Sequence, residues 1–84
     1  MSETLADALP EAIAKISEFI GQQDAQAKAL DALSPGMGDG CRMVSKVIRV
    51  KRDAAVSAQQ SGDMVLMIHA YQYLRQILVL AAEE

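Results

Sequence analysis

Eighty-four residues and 9.0 kDa provide one small domain, hiding about 60 to 65% of its unfolded surface on folding, with no room for a second. Hydrophobic residues make up 51%, but fourteen of them are Ala and only Phe19, Tyr71 and Tyr73 are aromatic, which favours closely packed helices and excludes a disordered chain. The net charge of −3 speaks against a generally basic nucleic-acid binder, and the single Cys41 excludes an intramolecular disulfide.

Pro10 suits the first turn of a helix and Glu11 complements a helix N-terminus, so the first main helix is expected over 10–33, with Ser2 and Thr4 placed to cap a short turn before it. Leu9, Ile13, Ile16, Ile20, Ala27 and Leu30 recur at three- and four-residue steps and define its apolar face. Gly21 marks a weak point or a close-packing site. Ser34-Pro35 ends the helix, because a residue before proline is pushed out of helical geometry.

Residues 35–40 form a loop in which Gly36, Gly38 and Gly40 alternate and permit a tight reversal. A second helix follows over 41–60. At 100° per residue, Met43, Val44, Val47, Ile48, Val50, Ala54, Ala55 and Ala58 share one broad arc, the expected core face. Arg42, Lys46, Arg49, Arg52 and Asp53 take the opposite arc. Lys51 projects from the apolar arc, an arrangement in which the stem lies on apolar neighbours and the ammonium reaches water.

Ser61-Gly62-Asp63 combines a helix-ending glycine with a capping aspartate, so a final helix is expected over 63–82. A single rod over 41–82 would set the two apolar arcs about 130° apart; a continuous helix meeting different partners along its length is the open alternative. The turn Gln60-Ser61-Gly62-Asp63 with Ala70-Tyr71 and Leu74 resembles one helix-turn-helix unit of a tetratricopeptide-type repeat in its turn alone, since no second copy occurs at the repeat spacing.

The final helix is apolar over more than half its circumference, which a three-helix monomer cannot fully cover. A homo-oligomer or a helical partner protein is therefore expected, with Leu66, Met67, Tyr71, Leu74 and Leu78 as the partner-binding residues. His69, Gln72, Arg75 and Gln76 interrupt this helix and argue against a membrane span. The acidic, non-basic start of the chain reads as no targeting signal, and cytoplasmic residence is the expectation.

Charge is unevenly spread. Residues 1–40 hold seven acids and two bases, whereas residues 41–63 hold five bases and two acids. Such asymmetry fits an acidic helix lying against a basic one, or an anion site. The anion reading uses Gly38, Gly40, Arg42, Lys46 and Arg49, where the Gly36 to Gly40 loop leads into a basic helix face, and takes a nucleotide or other phosphorylated ligand. The loop is neither a Walker sequence nor a dinucleotide fingerprint. Nucleic acid is a weaker expectation, because the aromatics lie on apolar helix faces.

One His and one Cys give no paired metal-ligand motif, and neither a base nor a resolving thiol accompanies Cys41. No catalytic residue, metal or cofactor is expected. The sequence thus reads as all-α, a small oligomeric three-helix bundle or helical-hairpin assembly, non-enzymatic and acting by association, with anion binding as the alternative.

Overall fold

The computed structural model describes residues 4–82 and forms three α-helices: α1 (Leu5–Leu33), α2 (Asp39–Ser61) and α3 (Met64–Ala82). α1 begins five residues before the expected start. Of the two expected caps, Ser2 lies outside the described residues; the Thr4 hydroxyl caps the helix, accepting from the Asp7 amide at 3.3 Å, while Asp7 complements the N-terminus. Pro10 consequently lies within the helix, one turn beyond the position that its missing N–H suits. α2 starts at Asp39, two residues earlier than expected, because the Arg42 amide already donates to the Gly38 carbonyl.

Residues 41–82 are two helices and not one rod. Gly62 adopts φ 72°, a left-handed conformation that favours glycine, and ends α2 with its amide on the Ala58 carbonyl. The Asp63 carboxylate then accepts from the Val65 and Leu66 amides at 3.0 and 3.3 Å, capping α3.

The helices run up, down and up. Asp24 and Asp31 on α1 meet Ser45, Arg49 and Arg42 on α2 in antiparallel order, and the Lys51 ammonium on α2 lies 4.6 Å from the centroid of the Tyr73 ring on α3. The core joins Leu9, Ile16 and Ile20 of α1, Ile48 and Ala55 of α2, and Leu74 of α3. The molecule measures 46 × 26 × 14 Å, its length set by the 29 residues of α1 at about 1.5 Å each. The end of α3 lies beside Phe19 and Gln22, so the last third of α1 is packed against α2.

α2 sits in the fold rotated from its expected orientation. Ser45, Ile48, Ala55 and Ala58 are its buried residues, while Met43, Val44, Val47 and Val50 are exposed. The reason is the acidic end of α1: Asp24 and Asp31 draw Arg49 and Arg42 to the α1 side, and the valine face turns away.

Candidate interaction surface

The α1–α2 contact is ionic at the end where the basic residues cluster. Ser45 is buried and its hydroxyl donates to Asp24 Oδ1 at 2.7 Å, while the Arg49 guanidinium pairs with Asp24 Oδ2. The Ser45 hydroxyl, with Arg49 beside it, holds the Asp24 carboxyl below its ordinary range against an opposing effect of desolvation. Two turns nearer the loop, the Gly38 amide donates to Asp31 Oδ1 at 2.8 Å and Arg42 pairs with Asp31 Oδ2. Arg42 also reaches Asp39 at 3.1 Å. Gly38 is buried, and a Cβ there would overlap the Ala27 carbonyl; this glycine lets the loop touch α1.

These contacts give each residue of the anion reading a place. The Gly38 amide, Arg42 and Arg49 already hold the chain's own carboxylates, so an added anion competes with Asp31 and Asp24. Gly40 lies in the exposed first turn of α2, and Lys46 is exposed. The segmental charge asymmetry corresponds to an acidic helix end paired with a basic one.

The residues expected to bind a partner divide differently. Leu74 is 0% exposed and belongs to the core, and Met67, Tyr71 and Leu78 are half-buried against it. Of the five, only Leu66 is exposed. Leu74 is therefore an internal packing residue, buried in one cluster with residues of both α1 and α2. The apolar residues that α3 leaves in water include Val65, Ile68, Tyr73, Val79 and Leu80.

A second exposed apolar stripe runs along α2, where no partner-binding residue was expected. Met43 is 70% exposed, Val47 54% and Val50 61%. Gly40, Met43, Val47, Val50, Ala54, Ser57 and Ser61 follow one another at alternating steps of three and four, the spacing of a coiled-coil seam. All seven are exposed. The spacing is legible in the sequence; its outward direction follows only from the ion pairs with α1.

A shallow groove joins this stripe to α3. Its walls include Lys51, Ala54 and Ala58 from α2 and Leu66, Ala70 and Tyr73 from α3. Lys51 spans it, its stem along the apolar wall and its ammonium over the Tyr73 ring. His69 also lines the groove. Among the described residues no group of three or more His, Cys, Asp or Glu converges as a metal site requires. α3 is the one helix among the described residues with the length and apolarity to cross a membrane. In this fold it contributes Leu74 to the core and carries Arg75 and three other polar side chains. Comparisons with protein-family models, curated proteins and solved structures find no match to this chain.

Proposed function

We propose that this chain is a non-enzymatic interaction protein of the cytoplasm that buries the apolar face of α2 and α3 against another helical surface, a second copy of itself in the first instance. The observation carrying this reading is the continuity of Met43, Val47, Val50 and Ala54 with Leu66 and Tyr73 across the groove. From their fractional exposures, Met43, Val47, Val50, Leu66 and Tyr73 present on the order of 500 Å2 of surface, mostly apolar. An interface of standard size buries about 800 Å2 per partner, of which about 60% is apolar, so this face matches the apolar share of one. Isolated exposed leucines and valines are ordinary on a monomer; a joined patch of this size is a candidate for a protein contact.

The charged groups around the face set orientation more than affinity. Lys46, Lys51 and Asp53 border the α2 stripe, and the ion pairs of Arg42 and Arg49 hold it facing outward. In this reading the ionic contact is a structural support for the interaction surface.

Light scattering over a range of protein concentrations tests the proposal. The parent chain is expected to exceed 9.0 kDa, and Val50→Glu is expected to lower the mass with helical circular dichroism retained. A parent that stays monomeric into the high micromolar range rejects self-association.

A further inference from the structure

We infer that the second copy docks antiparallel along α2, across a two-fold axis between Ile48 and Arg49, with Val47 of each chain packed on Val50 of the other. This inference rests on the association reading above and specifies its geometry. In the α2 seam, Gly40, Val47, Ala54 and Ser61 alternate with Met43, Val50 and Ser57, so the two sets occupy the two inward positions of a heptad. The residues bordering them are Lys46 and Asp53 on one side and Val44, Lys51 and Ala58 on the other.

Charge selects among the ways two such seams can meet. In a parallel, in-register pair, Lys46 of each copy flanks Lys51 of the other, and both cross-contacts are repulsive. An antiparallel pair placed one heptad toward Ser61 brings the two Asp53 carboxylates together and the two Lys51 ammoniums together. One heptad the other way, the two Lys46 side chains face each other. The remaining antiparallel register sets Lys46 of each copy beside Asp53 of the other, twice by symmetry, and leaves Lys51 beside Val44 of the other copy.

Size complementarity favours the same register. Met43, the largest seam residue, falls opposite Ala54 of the other copy; Val47 falls opposite Val50; Gly40 falls opposite Ser57. The groups that would form the cross-pairs are available. Lys46 is exposed, and the Asp53 side chain is 69% exposed and pairs, among the described residues, with the adjacent Arg52. α1 lies on the far side of α2, so it does not obstruct this approach, whereas the groove bearing Leu66 and Tyr73 borders the docked helix.

Charge exchange and cross-linking in the full chain test this register. In light scattering, the parent is expected at twice 9.0 kDa. Lys46→Asp or Asp53→Lys alone should raise the dissociation constant about tenfold, and the double variant K46D/D53K should restore it. A Cys41→Ala background carrying Val47→Cys and Val50→Cys should oxidise to a covalent dimer, whereas Ile68→Cys, on another side of α3, should not. A dimer that resists the charge reversals, or cross-links through Ile68→Cys in preference, overturns this register while association stands; a monomeric parent overturns both. Co-flotation with neutral vesicles in place of dimerisation would assign the face to lipid and overturn both as well.

Discussion

The two long sides of α2 solve opposite problems. Toward α1, charged and hydroxyl groups are matched within the chain: Asp24 with Ser45 and Arg49, Asp31 with Gly38 and Arg42. Away from α1, Met43, Val47 and Val50 face water. A helix in a self-sufficient bundle has the reverse arrangement, with its apolar stripe inside and its charges outside. Polar contacts here supply direction, fixing how α2 is rotated, while the valine stripe is left available. The molecule is only 14 Å through its thinnest dimension, and the valine stripe lies on its surface.

The sharpest way to separate core from exposed face is to truncate one leucine of each kind on α3. Leu74 is 0% exposed and Leu80 is 64% exposed. Leu74→Ala should lower unfolding free energy by about 3 kcal/mol, through lost transfer energy and the cavity left behind. Leu80→Ala should change it by less than about 0.5 kcal/mol. Urea denaturation at equal protein concentration measures both. Equal losses at the two positions would mean that the second face is also covered, by another copy already present at that concentration.

A pair of glycines probes the α1–α2 side. Gly38 has φ −84°, so its backbone accepts any residue, but a Cβ would meet the Ala27 carbonyl. Gly38→Ala should therefore cost about 2 kcal/mol by forcing the loop off α1, and it should loosen the Asp31 contacts. Gly21 lies within α1 with open space where a Cβ would stand. Gly21→Ala should stabilise by about 0.5 to 1 kcal/mol through helix propensity alone. Thermal melts of both variants beside the parent decide whether close approach operates only at Gly38.

Much of this architecture is legible from spacing and turn chemistry. The three- and four-residue steps through Leu9, Ile16 and Ile20 locate the α1 core, and Ser34-Pro35 and Gly62-Asp63 mark the breaks. The rotation of α2 is not legible in the same way. A helical wheel places Ile48 among Val44, Val47 and Val50, and hydrophobicity alone turns the centre of that arc inward. Only the partner helix decides otherwise, because Asp24 and Asp31 are seven residues apart and match Arg49 and Arg42 at the same interval in reverse. Which α3 residues turn inward is hard to read from the sequence for a related reason. Leu74 lies at the centre of its apolar arc, and the centre of an arc is what a small core claims first; the flanks, Leu66 and Tyr73, are left exposed.

The smallest effect tests whether Asp24 holds α2 in place through its charge. Its carboxyl lies below the ordinary value of 3.8, chiefly through the Ser45 hydroxyl and then through Arg49. A carboxyl depressed in the folded state binds fewer protons there than in the unfolded chain, so its contribution to stability is complete above that ordinary value. It is lost as pH falls through the folded value. The parent should therefore exceed Asp24→Asn in melting temperature near neutral pH, and the gap should narrow below about pH 4 as both carry a neutral group at this position. Ser45→Ala removes the hydroxyl that contributes most to the shift and should reduce the pH-dependent part of the gap while Arg49 remains. Should the gap between parent and Asp24→Asn stay constant from neutral to acidic pH, the charge at Asp24 does not orient α2, and the outward valine stripe needs another cause.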